Sequence, residues 1–443
     1  MSKLIKPGRG GVTVLALFAA LGITAAACGS SGTKSATNTT NSTNSTTPSN
    51  CGTGSTATTA STAASATTST SAASGTSTTA ASGAPAAGPV KIGFVGALTG
   101  PDAQLGINEH EGEKLAVAQH NAKSGVTKVQ LVEYDTTGSG TQSPQQAQKA
   151  ITDKVVAVVG PAFSGESKTA DPIFEQAGIV NITASATGPA LAQNGWKYFH
   201  RAVGNDNSQG PAAANYISKK LGAKNVAVID DNEEYSLGIA NIVACTLSTS
   251  SVNVVVRDHI DKAGQDYSAT INKIKAASKL DAIFYGGYYS EGGRFLKQVR
   301  DAGITVKFVS DDGAEDPKLI DSAGPSAAEG ALLTCPCGDI TKSTNPNAAS
   351  FVTAYTASAH AAPGTYSAEA YDATNLILNA IDAGNTTSKA INDYLATVNY
   401  VGLTKTFQFD SKGEVQSPTV YMWEIKGGKV VFDGAVDQLI SGG

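Results

Sequence analysis

The sequence predicts an α/β protein made of two similar halves, each a parallel sheet with helices on both faces. Three observations carry this. Three apolar runs, VVAVVGPAFSGES from Val155, GIVNITASATGPA from Gly178 and LDAIFYGGYYSEGG from Leu280, each stop abruptly at small polar or tyrosyl residues. A continuous Val/Ile/Ala run of about five to eight residues is a strand covered on both faces. Strand and helix patterns alternate along the chain, and the alternation restarts after Gly204 in the same layout. Finally, the stretch from Val90 to Gly443 exceeds the ~250–300 residues at which a single core stops growing, so two lobes are expected.

In chain order, VKIGFVGAL (90–98) is a strand and LTGPDAQLG the loop at its end. GEKLAVAQHNAKSG then forms a helix with Gly125 as its cap, and VQLVEYD the next strand. Ser143-Pro144 opens a helix, since Pro is favoured at the first helical position with Ser before it. Ala147, Ala150 and Ile151 give that helix an apolar stripe. In the second half, NVAVIDDNEEYSLG is a strand with its loop, matching KIGFVGALTGPDAQLG in layout, and VNVVVRDHI is the second strand. Asp266 caps a helix with Ile271 and Ile274 inward; LDAIFYGG, a helix with Phe295, Leu296 and Val299, and ITVKFVSDD follow. YSAEAYDATNLILNAIDAG (366–384) is a long helix closed by Gly384. TKTFQFDSKGEV and TVYMWEIKGGKVV are short strands around Lys-Gly turns.

The ends define the compartment. Lys3, Lys6 and Arg9 form a basic start, and Val12 to Ala27 is almost wholly apolar or small. That is short for a membrane span, which needs ~20 apolar residues, and has the layout of an export signal over 1–27. Ala25-Ala26-Ala27-Cys28 resembles a lipobox, with Ala25 where Leu is usual; either Cys28 is lipidated or cleavage after Ala27 is an ordinary secretory one. From Gly29 to Pro89 there is no Val, Ile, Leu, Met or aromatic residue, and Lys34 is the only charge. Such a segment cannot bury enough apolar surface to offset its ordering entropy, so 28–89 is read as a lipidated Cys and a disordered tether. The chain is then membrane-attached outside the cytoplasm or periplasmic.

Net charge is −5 with no basic stripe, which argues against nucleic acid as a partner. Cys245, Cys335 and Cys337 follow Cys28 and Cys51, and export permits disulfides. Cys335-Pro-Cys337 closes a small ring, pairs through one member with Cys245, or stays free. No G-x-S-x-G, H-E-x-x-H, P-loop or G-x-G-x-x-G is present. The five His residues show no metal spacing, and no cofactor, catalytic residue or metal site is expected.

In open α/β sheets the ligand sits beyond the carboxyl ends of the strands. Those ends carry Ser164, Ser185, Thr187 and Tyr288, which hydrogen-bond a small polar solute without supplying an obvious nucleophile. A binding protein is favoured over an enzyme. Ser164-Gly165-Glu166 begins a helix whose free N–H groups favour an anion, and Ser164 fits a plain cap as well.

GALTGPDAQLG, ITASATGPAL, FYGGY and a helix after EAYDA, in this order and spacing, resemble the bilobal type I periplasmic binding proteins for branched-chain amino acids (Leu/Ile/Val). The resemblance covers essentially all of 90–443. It implies two Rossmann-like lobes, 90–206 plus 335–416 and 207–334 plus 417–443, joined by three crossovers near Asn205–Asn207, Leu333–Thr334 and Ser417. It implies a hinged cleft, a monomer, and delivery of solute to an ABC permease. The family's carboxylate site maps onto Ser164 with Ala162 and Phe163 beside it. Ser185 and Thr187 match residues that hold ammonium and carboxylate. Asp312 stands where the family keeps a glutamate for the ligand ammonium, and a carboxylate in a dry cleft demands a cation. Tyr288, Tyr235 and Tyr366 match aromatics that cover the ligand. Leu105 replaces an aromatic and Phe163 a small residue, so the ligand is an amino acid, an amide or another small carboxylate. A sensing module of the same fold, and a redox or adhesion lipoprotein centred on Cys335 and Cys337, remain alternatives.

Overall fold

The computed structural model describes residues 88–416 and 418–442. The expected export signal, Cys28, the tether through residue 87, and Ser417 at the third expected crossover lie outside the described residues.

The first sheet contains β1 (Val90–Gly96), β2 (Val129–Asp135), β3 (Ala157–Val159), β4 (Val180–Thr183) and β5 (Phe199–Arg201). All its pairings are parallel, in the order β2-β1-β3-β4-β5. The second half repeats the pattern with β6 (Asn225–Asp230), β7 (Asn253–His259), β8 (Ala282–Gly286), β9 (Lys307–Ser310) and β10 (Leu332–Cys335), in the order β7-β6-β8-β9-β10. After a short antiparallel ladder of β11 (Tyr400–Val401) with β12 (Thr406–Phe407), the chain adds β13 (Tyr421–Lys426) and β14 (Lys429–Ala435) antiparallel at the β10 edge. Gly427 and Gly428, both at positive φ, make the two-residue turn that joins this last hairpin. Both sheets therefore share one winding order, and in each the order reverses beside its first strand. That is where an open α/β sheet leaves a crevice.

Burial follows the expected two-sided pattern. In β3, Ala157 and Val159 join a core with Leu376 and Ile377 of the helix Ser367–Asp382, whereas Val158 joins Ala147, Ala150 and Phe174 on the opposite face. Val226 to Ile229, Ile283, Phe284 and Phe308 fill the second sheet's core together with Phe295, Leu296 and Val299. Cys335 and Cys337 are joined in a disulfide, so of the pairings left open by the sequence the small ring is the one formed.

One boundary differs from expectation. The first helix runs Ala103–Ala122 and so starts inside the segment read as a loop, and its cap is Lys123, not Gly125. Its two glycines explain why the segment reads as irregular. A Cβ on Gly106 would lie 2.1 Å from the Ala97 carbonyl oxygen, so the helix start needs a glycine to lie against the end of β1.

Candidate functional site

Six of the strand-end segments converge on one cavity. It is lined by Leu105, from the first turn of the helix after β1, by Ala162, Phe163 and Ser164 after β3, and by Ser185 and Ala186 after β4. From the second half come Tyr235 after β6, Tyr288 after β8, and Asp312 and Gly313 after β9; Tyr366, at the start of the helix Ser367–Asp382, completes the wall. The cavity contains about 260 Å³ of atom-free space, slightly below the roughly 300–1,000 Å³ usual for small-molecule sites. Of the ten side chains that the sequence assigns to ligand contact, nine line it. Thr187 does not: it is fully buried behind the wall, where its carbonyl accepts from the Asp206 N–H at 3.0 Å.

The two sides of the cavity differ in chemistry. On the first-lobe side, Ser164 is the first residue of the helix Ser164–Ala177, so free backbone N–H groups and the positive end of the helix dipole accompany its hydroxyl. Its Oγ accepts from the Gly188 N–H at 3.0 Å, which leaves the hydroxyl proton for a ligand. Ser185 Oγ donates to the Ala162 carbonyl at 2.5 Å and ties the β3 and β4 loops together.

Facing this, Asp312 is 3 % exposed and accepts from Tyr235 OH at 2.7 Å and from Tyr366 OH at 2.8 Å. Burial pushes its carboxyl up, against the pull of these hydroxyls. Asp311 and Asp206 are buried close by, and desolvation drives both well above the usual carboxylate range, each reinforced by the charge of Asp312. This side is acidic and free of any buried lysine or arginine on Asp312 among the described residues. Tyr288 links the walls, its ring centroid 4.9 Å from Phe163 and 5.3 Å from Tyr235. Tyr366 itself adopts a left-handed backbone (φ 66°), a conformation that bulky residues avoid and that turns its hydroxyl toward Asp312.

Sequence reasoning missed three parts of the site. Ala186 and Gly313 are wall backbone; a Cβ on Gly313 would sit 2.9 Å from the Tyr235 ring, so glycine lets the wall close. Arg201, wholly buried at the end of β5, donates to the carbonyls of Ala186 (2.7 Å) and Gly188 (3.0 Å) and pairs with Glu414 at 2.8 Å. It braces the loop that carries Ser185. Its one signal in the sequence is an arginine inside the apolar strand FHRAV.

Two α/β lobes of identical winding, with a polar aromatic cavity at the carboxyl ends of both sheets, define a solute-binding architecture. The periplasmic binding protein family model matches residues 89–429, and the chain belongs to that family. It is 32% identical over 343 residues to the leucine-, isoleucine-, valine-, threonine- and alanine-binding protein of Pseudomonas aeruginosa, covering 76% of this chain and 91% of that protein. Among solved structures, a leucine-binding protein from Thermotoga maritima superposes with TM-score 0.73 at 30% identity, covering 78% of this chain and 98% of that one. A branched-chain amino acid transporter substrate-binding protein from Streptococcus pneumoniae, in complex with isoleucine, gives TM-score 0.72 at 30% identity, with 78% and 100% covered. The bilobal type I fold expected from the sequence is the one found, and the family acts outside the cytoplasm.

The buried carboxyls around the cavity make stability depend on pH. Glu109, beside Ser185, and Glu291 are each pushed up to about 8, and Glu166 and Glu369 to about 7, in every case mainly by burial. Groups raised in the folded state hold their protons longer than they do in the unfolded chain. Their stabilisation is complete below the unfolded value near 4.5 and is lost as pH rises through 7 to 8. The thermal midpoint should therefore fall between pH 5 and pH 8.5 at constant ionic strength; a midpoint that rises over this interval contradicts the assignment.

Proposed function

We propose that this protein is the solute-binding lipoprotein of an ABC importer and captures a zwitterionic amino acid with a small aliphatic side chain. The observation that carries the reading is the opposition of Asp312 to the Ser164 helix start across a closed aromatic cavity. The ligand carboxylate meets Ser164, Ser185 and the free N–H groups on one lobe. Its ammonium meets Asp312 on the other, so the bound solute is what bridges them. Leu105 and Phe163 leave an apolar surface for the side chain. Nothing in this arrangement supplies a nucleophile or general base to a bound substrate, which supports a binding role without catalysis.

Cys28 retains the protein at the outer face of the membrane in this reading. Stable anchoring takes two acyl chains or an equivalent pair of signals, and a diacylated Cys supplies both. The polar segment after it spaces the lobes from the bilayer, and the monomer hands its solute to a permease.

Two predictions follow from the chemistry. Asp312→Asn leaves a buried ammonium unpaired, a loss of ~3–5 kcal/mol or about two to four decades in affinity, whereas Ser164→Ala costs ~1.5–3 kcal/mol because the backbone donors remain. Calorimetry of the purified protein against a panel of L-amino acids and amides measures both. An Asp312→Asn variant as tight as wild type would point to an uncharged amide or a simple carboxylate. For the anchor, Cys28→Ser should release the protein into the culture medium; a substituted protein that still sediments with membranes rejects lipidation.

A further inference from the structure

We propose that Asp102 and Lys262 form an ionic latch across the mouth of the cleft, which holds the lobes closed and positions Tyr288 against the solute. The inference rests on the reading of the cleft as a solute site. Asp102 lies in the loop after β1, directly before the helix Ala103–Ala122, where aspartate is among the preferred capping residues. Its side chain makes no capping hydrogen bond. Instead its Oδ2 lies 3.3 Å from Lys262 Nζ, in the loop after β7 on the other lobe. Its Oδ1 is buried without a hydrogen-bond partner. A capping residue that leaves its own helix uncapped to meet a cation from the opposite sheet is placed for that contact.

Lys262 does a second thing. Its ammonium sits 4.1 Å from the centroid of the Tyr288 ring, within cation–π range. The same ring lines the cavity and packs on Phe163 of the first lobe. Tyr288 is thus held between the solute space, Phe163 and Lys262. A further bond joins the same two regions: the Gln104 N–H donates to Tyr289 OH at 3.0 Å.

The surroundings of Lys262 make the pair suited to opening. Besides Asp102, the charges that act on it are Glu291, Asp231 and Glu233, all on its own lobe. These acids keep the ammonium compensated when the lobes part, and only the Asp102 contact has to break. Asp102 is 4 % exposed in the closed arrangement and regains water on opening, so the latch is one weak, salt-sensitive step. A contact present only in the closed form shifts the closed population and slows solute release, with little effect on encounter.

The test is a double-mutant cycle on L-leucine binding, with Asp102→Asn, Lys262→Met, both together, and Lys262→Arg, read by stopped-flow release and by calorimetry at low and high salt. Each single neutralisation should speed release about tenfold at low salt with association nearly unchanged. The double variant should be no faster than the singles, Lys262→Arg should restore slow release, and high salt should erase the difference from wild type. Additive single effects, or release rates unchanged in both singles, overturn the latch, because a merely structural role predicts neither coupling nor salt dependence. Small-angle scattering of the protein without added amino acid gives an arm independent of the ligand: Lys262→Met should have the larger radius of gyration at low salt. If wild type does not bind L-leucine, the leucine reading fails by itself, and equal radii in the two proteins then overturn the latch separately.

Discussion

The fold is organised around a carboxylate that water does not reach. Asp312 is buried beside Asp206 and Asp311, and its two oxygens are occupied by tyrosine hydroxyls from different parts of the chain. Hydroxyls stabilise an anion without neutralising it, so the charge stays a liability unless a cation enters. One donor, Tyr235, comes from its own lobe. The other, Tyr366, starts a helix that packs under the first sheet, so the bond to Tyr366 exists only when the lobes meet. Charge compensation and lobe closure are therefore the same event.

The repeated winding order places this carboxylate opposite an anion-binding element. Each sheet reverses direction beside its first strand, and each reversal opens a crevice at the carboxyl ends. In the first lobe the crevice is filled by the helix start at Ser164 and by the Ser185 loop braced by Arg201. In the second it is filled by Tyr235, Tyr288 and Asp312. Two copies of one topology thus present complementary charge, which a single sheet with one crevice does not provide.

Much of this was legible in the sequence, because the informative signals are local. Buried parallel strands are continuous apolar runs, and whatever follows them stands at the ligand edge; Ser164, Ser185, Tyr288 and Asp312 were found this way. The failures have one cause. Thr187 lies two residues beyond Ser185, close enough in sequence to share its role, yet the turn points it into the interior beside Asp206. Arg201 acts through carbonyls thirteen and fifteen residues away. The pairing of Asp102 with Lys262 joins loops of different lobes, and Asp102 reads locally as a helix cap. The start of the first helix was hidden by glycines chosen for close backbone contact, not for flexibility. Tertiary proximity decided each of these, and no periodicity or propensity carries it.

The central claim is that Asp312 is satisfied by a cation that the solute brings. Comparing L-leucine with 4-methylpentanoate, which keeps the carboxylate and side chain but lacks the amino group, tests this on the unmodified protein. The account predicts that the deaminated compound binds weaker by about two decades or more in calorimetry near neutral pH. Equal affinities would show that the buried carboxylate is not paired by the ligand and would contradict the account.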